Sequence, residues 1–435
     1  MSAMQQPGDG SATRSPLSPR RPLVWIWALL WLAGAGWILA RIGIWDRTLL
    51  SVDYGDIKLY GEWAKHIVEV GSLPDESKWQ YPSGAAFLFL MPRLFVDGYG
   101  GDYGAVFLAM LLLCSLIVLV ALIVLGTRRR EFAGVWVWLL AMPALGGLPG
   151  LRFDLVPTAF AVVALVMIHR RPGCFGAIVG IGAMLKVWPV LCIFGEWDRR
   201  RLWKSIAWLL TAVGAILLAS ALAFGDPFTF LGQQGGRGLQ VEAIAAAPWQ
   251  LRDVVTGTPV PQEVRYGAYE IPSSTADTVA MLLNYAALVV FAVAAAWWLL
   301  RDRAIRTGRD DLADETVARD FVFALVLLFV ATSRVLSPQY MVWLLGLAAV
   351  VLCASDSRLR RPAWIVVAAV IFSATVYDNP GNTLLRNLAL LGATVDACVT
   401  LAALLRRAPR SSSDLLSAPR PAAADHPAEP SSSPV

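Results

Sequence analysis

Between Tyr103 and Gly126 the chain carries no charged side chain, and the same holds for Met281–Leu300. Such a run satisfies its backbone polar groups in hydrocarbon only by forming a helix, and about 20 helical residues cross about 30 Å of lipid. Leu23–Trp45 is a third run of this kind, broken only by Arg41. A signal peptide is a poor alternative for it, because the run is long and starts only at residue 23. Soluble domains hold about 25% charged residues. With 16% charged and 57% hydrophobic residues in 435, the chain is expected to be an all-α polytopic membrane protein.

Charge distribution orients it. The bases fall in short clusters between apolar runs: Arg20–Arg21, Arg128–Arg130, Arg170–Arg171, Arg199–Arg201 with Lys204, Arg301/Arg303/Arg306, Arg358/Arg360/Arg361 and Arg406–Arg407. The positive-inside rule assigns all of them to the cytoplasm, and the net charge of +5 is therefore no nucleic-acid signature. Residues 46–82 carry seven Asp and Glu against four Lys and Arg, which suits an external loop. Five scattered cysteines without CxxC spacing and three dispersed histidines imply neither a disulfide framework nor a metal site.

These constraints place residues 1–21 and 408–435, rich in Ser, Pro and Ala, as disordered cytoplasmic tails around a membrane domain of residues 22–407. About ten or more crossings are expected, with external loops at 46–82 and 225–275. Residues 173–196 have basic clusters at both ends, which demands two short helices broken near Lys186-Val187-Trp188-Pro189. Residues 84–96 fit no full crossing and are expected to be half-inserted or interfacial. Tyr60, Trp63, Ala64, Ile67 and Val68 form one apolar stripe opposite Lys58, Glu62, Lys65 and Glu69, the pattern of an amphipathic helix on a membrane surface.

Polar residues that interrupt apolar spans mark functional sites by default. Here they gather at one side: Asp53, Asp56, Tyr81, Arg152, Asp154, Lys186, Arg237, Glu242, Arg334, Gln339 and Tyr340 all map to external ends or loops. The cytoplasmic ends are expected to hold only the bases that topology requires. Asp56 starts the amphipathic helix, so it serves either as a cap or as a general base, with Asp53 competing for the second role. Arg152 and Asp154 either pair to close a bend or, respectively, bind a phosphate and orient the group that binds it. Lys186 needs an anion, Asp154 or a ligand phosphate, unless it snorkels to the interface.

Several segments together resemble a known family. Asp56-x-x-x-Tyr60-x-x-Trp63-Ala64 followed by Gln80-Tyr81-Pro82 is similar to the first external loop of bacterial polytopic mannosyltransferases of glycosyltransferase family 87. Arg152-Phe153-Asp154-Leu155-Val156-Pro157, Lys186-Val187-Trp188-Pro189, Arg237-Gly238-Leu239-Gln240-Val241-Glu242 and Ser337-Pro338-Gln339-Tyr340 match in order, with Leu385-Arg386-Asn387 a weaker sixth. Ser83 stands where the family often has a second proline. The resemblance implies a GT-C-like membrane enzyme of the cell membrane. It would move a sugar, mannose as the best guess, from a polyprenyl-phosphate sugar to a glycolipid or lipoglycan acceptor on the external face. Asp56 matches the family's general base, and a divalent metal is not implied. The competing reading is a transporter or flippase for a lipid-linked or small polar solute, which broken helices and an intramembrane lysine would suit; a structural or assembly protein is a third.

Overall fold

The computed structural model describes residues 21–48, 55–74, 79–100, 102–228, 230, 237–265, 267–373 and 379–406. Asp53 and both expected tails, apart from Arg21 at the start of the first helix, lie outside the described residues. The rest is helical apart from loops and one small hairpin. Five helices are long and apolar enough to cross a membrane. They are α1 (Arg21–Thr48), α4 (Tyr103–Arg129), α9 (Arg199–Phe224), α11 (Ser274–Arg306) and α15 (Pro380–Arg406).

The remaining apolar segments are shorter. They comprise α5 (Ala133–Ala141), α6 (Leu148–Leu151), α7 (Leu155–Met167), α8 (Pro172–Leu185), α12 (Glu315–Ala331), α13 (Tyr340–Leu352) and α14 (Arg360–Ser373). A helix of 13 residues such as α7 or α13 covers about 20 Å. The ends of α7, α8 and α13 come together at Asp154, Lys186 and Tyr340. Every residue of α13 from Met341 to Leu352 is buried, which makes it the axis around which α5, α7, α12 and α14 pack. Glycines set the closest crossings. A Cβ on Gly134 would overlap the Ala349 carbonyl, and one on Gly176 the Ser205 carbonyl, so α5 meets α13 and α8 meets α9 backbone to backbone.

The break at Lys186 falls where the sequence puts it, but the next segment is not the second helix expected there. Lys186 is extended, and Trp188–Gly195 forms a 3-10 segment; Pro189, lacking an N–H, removes the donor that would continue α8. The α3 helix (Gly84–Tyr99) has 16 residues and packs on α4, α8 and α9. The amphipathic helix α2 (Gly55–Val70) also departs from expectation. Tyr60, Trp63, Ala64 and Ile67 are buried, and Tyr60 stacks on Phe89 of α3 at 4.3 Å. Its apolar stripe therefore faces the protein's own aromatic cluster instead of lipid, while Val68 stays 57% exposed. Lys58–Glu62 and Lys65–Glu69 pair along the outer face.

The second large loop is a built unit. It contains a short 3-10 turn at Ile244–Ala246, α10 (Ala247–Thr256) and a hairpin of β1 (Glu263–Arg265) with β2 (Ala268–Glu270).

Candidate functional site

Where α8 ends, Lys186 turns inward and its Nζ lies 2.5 Å from Oδ1 of Asp154, at the start of α7. Trp343 Nε1 donates to the same oxygen at 2.6 Å. The ammonium also sits over the rings of Trp343, Phe153 and Tyr340 at 4.8, 4.9 and 5.1 Å. Asp154 is 1% exposed. A buried ammonium needs both a counter-ion and a shell of donors or π faces, and Lys186 has both. Asp154 is thus the partner of Lys186 and not of Arg152, which corrects the expected bend-closing pair. It also corrects Asp154 as an orienter of a phosphate-binding arginine.

Arg152 reaches back across the bundle instead. Its guanidinium pairs with Oδ2 of Asp56, and Tyr60 donates its hydroxyl to that same oxygen at 3.3 Å. The first turn of α2 is thereby tied to the N-terminal end of α7. Asp56 accepts both contacts on one oxygen, which leaves Oδ1 to meet another donor.

The loop segment Leu239–Val241 is held on two sides. Val241 N–H donates to Tyr269 O, Ile271 N–H to Leu239 O, and Gln240 N–H to Arg334 O at 3.0 Å. On its far side Arg386 donates to the Glu242 carbonyl at 2.7 Å, and Asn387 donates to Glu242 O, Ala243 O and Gln250 Oε1. Arg386 and Asn387 are fully buried in α15. The Leu385-Arg386-Asn387 segment is therefore a clamp that fastens the loop to the bundle. The Glu242 carboxyl is pushed up to about 7 by burial, with Arg386 and then Arg152 pulling the other way.

These elements enclose a cavity of about 600 Å³. Tyr81, Arg152, Lys186, Arg237, Arg334, Gln339 and Tyr340 all line it, so seven of the predicted residues converge on one space. Asp56 adjoins it through Arg152, and Asp154 lies beneath it through Lys186. Glu242 is not among the lining residues; its backbone oxygen accepts from Arg386 and Asn387. The apolar part of the wall comes from Leu283 and Ala287 of α11, with Phe329 of α12. Burial, and then Asp154, pushes the Tyr81 hydroxyl well above its usual range, so it stays a neutral donor.

The four cavity cations fall into two pairs. Lys186 and Arg152 are each locked to a carboxylate. Arg237 and Arg334 are like charges near each other: burial and then Arg237 lower the proton affinity of Arg334, and Arg237 Nε is buried with no hydrogen-bond partner among the described residues. An anion placed between them would relieve both penalties.

Sequence reasoning missed Trp343, which reads as one more apolar residue of a span; its spacing of three from Tyr340 in a turn that already carried polar residues was the available signal. It also missed Glu270. At the opposite end of the bundle, acidic partners accompany the bases, contrary to expectation. Arg129 pairs with Asp314, Arg170 and Arg319 both meet Glu315, and Arg360 meets Glu131. Among the described residues no group of three or more His, Cys, Asp or Glu could hold a metal.

The model of glycosyltransferase family 87 matches residues 79–313, more than half of the chain and the stretch that contributes Tyr81, Arg152, Lys186 and Arg237. Asp56 and the Ser337–Tyr340 turn lie outside the matched span. Neither a curated protein nor a solved structure matches the chain.

Proposed function

The chain belongs to glycosyltransferase family 87, and from that premise we propose that it transfers mannose from a polyprenyl-phosphate sugar to a lipid-linked glycan or glycolipid acceptor, at the external face of the cell membrane. The observation that carries the donor class is the Arg237–Arg334 pair in the cavity wall. A phosphodiester at headgroup level places one negative charge between the two guanidinium groups, and its prenyl chain would follow the apolar wall of α11 and α12.

In this reading Asp56 is the general base. The acceptor hydroxyl oxygen attacks the anomeric carbon, its proton passes to Asp56, and the bond from that carbon to the phosphate oxygen breaks. The electron pair leaves on polyprenyl phosphate. Arg152 pairs with one oxygen of that carboxylate and aims the second. The leaving phosphate is neutralised by the arginines, so the proposal calls on no metal. Lys186 and Asp154 set the floor of the site and contact the donor through the ring cluster.

The polar residues open at one end of the bundle, and the other end is closed by ion pairs. That arrangement favours transfer at one face over passage through the membrane, as a transporter or flippase would need. The test uses membranes carrying the full chain, radiolabelled polyprenyl-phosphate mannose and lipid extraction. Label is expected in an acceptor lipid with the wild type and, at low donor concentration, about thirtyfold less with Arg237→Ala. Label that appears equally with both sinks the donor assignment, and label retained only in the donor sinks the transfer.

A further inference from the structure

Like α2, the short helix α10 carries an apolar stripe, but here the fold leaves the stripe open. Leu251, Val254 and Val255 stand at i, i+3 and i+4, on one face of the helix. All three are exposed, Val255 by 73%. Another side of α10 is fixed to the bundle. Gln250 is buried; its amide donates to Val241 O at 2.7 Å and accepts from Asn387 of α15 at 3.1 Å. That contact sets the height of α10 along α15, one of the five helices long and apolar enough to cross a membrane. From Arg406 in the last turn of α15, the helix rises about 28 Å to Asn387, and the hydrocarbon layer is about 30 Å thick. Asp396, paired with Arg361, is a polar mark closer still. The level of Asn387 is therefore no higher than the far edge of the hydrocarbon. Leu385 and Leu388 are exposed next to Asn387 and face lipid at that level. Because α10 packs on α15 there, its open stripe meets the same medium.

We propose that lipid acyl chains cover this stripe, so that α10 is embedded in the bilayer leaflet at the cavity end. Ten residues are too few to cross, so the chain enters the leaflet and leaves it on the same side. Irregular backbone at that depth must be covered by protein and satisfied by it. The segment before α10 meets both conditions. Leu239, Ala243, Ile244 and Ala246 are buried, and Arg386 and Asn387 give their donors to the carbonyls of Glu242 and Ala243. A buried arginine and asparagine in a membrane helix thus do for this loop what water does for a loop outside. Arg252, exposed beside the stripe, has a stem long enough to lift its charge toward the headgroups. The assignment does not depend on what the cavity binds.

The experiment takes the full chain in phosphatidylcholine nanodiscs and footprints it twice, with peptide mass spectrometry as the readout. One probe is phosphatidylcholine with a photoactivatable diazirine in its acyl chain, and the other is hydroxyl radical generated in the water. Leu251, Val254 and Val255 should carry acyl-chain adducts, as Leu385 and Leu388 do, and should escape oxidation. Val264, exposed on β1, should be oxidised and carry no adduct. Oxidation of the stripe without adducts puts α10 in water and overturns the proposal. Protection from both probes overturns it too, because a second protein surface would then cover the stripe. Adducts spread equally over α10 and Val264 remove the distinction between helix and hairpin, and their absence from Leu385 and Leu388 breaks the depth argument; either result sinks the assignment.

Discussion

At the end of the bundle where α4 finishes and α12 begins, Arg129 reaches Asp314 at 3.1 Å and Arg319 reaches Glu315 at 2.8 Å. Arg170 joins the same glutamate and Arg360 takes Glu131. At the cavity end two cations are closed in the same way, but Arg237 and Arg334 are set against each other. Both ends use arginine and carboxylate; they differ in that the cavity end sets two arginines against each other. Charges that balance one another tie helices together. Two arginines that repel each other in a cavity wall suit an anion that comes from outside, and perturbed ionisable groups gather where such ligands act.

The largest expected effect breaks this contrast at Asp56. Asp56→Asn should lower the transfer rate by about 10²–10⁴-fold, the usual contribution of a general base, a loss far larger than the small drop in melting temperature from breaking its ion pair with Arg152. Asp53→Asn should keep most activity in the same assay. A dead Asp53→Asn beside an active Asp56→Asn would reassign the base.

Next comes Lys186, whose pairing makes it resemble the closed end. Lys186→Met leaves Asp154 buried and should destabilise the protein by about 3–5 kcal/mol, while adding Asp154→Leu should restore most of that. Chemical denaturation of the three proteins measures it. A single variant as stable as the wild type would mean that Lys186 serves a ligand and not the fold.

Arg237 sharpens the contrast directly. Arg237→Ala should weaken donor binding by about thirtyfold, the equivalent of about 2 kcal/mol for a lost charged hydrogen bond. Arg129→Ala at the other end should lower the melting temperature and leave donor affinity alone. The comparison collapses if the two variants behave alike in both measurements.

The smallest effect is a pH slope. The Glu242 carboxyl is raised from about 4.5 to about 7 on folding, so the folded protein holds that proton where the unfolded chain has released it. Its contribution is full below pH 4.5 and is lost as pH climbs through 7. Melting temperature should therefore fall by a few degrees between about pH 5 and pH 8 in the wild type. Glu242→Gln should flatten that slope, and parallel curves for the two proteins would remove Glu242 from the account.

The long helices were legible because an uncharged run of span length has only one way to satisfy its backbone in lipid. The cavity residues were legible for the converse reason: polar groups such as Lys186 and Arg152 are too costly in such places to be accidental. What stayed hidden was pairing. Arg129 and Asp314 are 185 residues apart, and nothing in either neighbourhood names the other, so the closed end read as bases alone. The apolar stripe of α2 was visible, but its period cannot say whether lipid or Phe89 covers it. Glu270 was invisible because a three-residue strand carries no periodic signal.

The Asp154–Lys186 pair joins two helices that succeed each other directly, α7 and α8, across 32 residues. That closeness bears on how the chain is made. A ribosome-bound translocation channel releases segments to the bilayer roughly in order, and a lone aspartate or lysine at mid-helix resists release by about 2.5–3.5 kcal/mol. Here each charge meets its opposite within one hairpin. The two can leave the channel together as a neutral unit, before Trp343 has been synthesised. The floor of the cavity would then be laid during insertion, and the later helices would close around it.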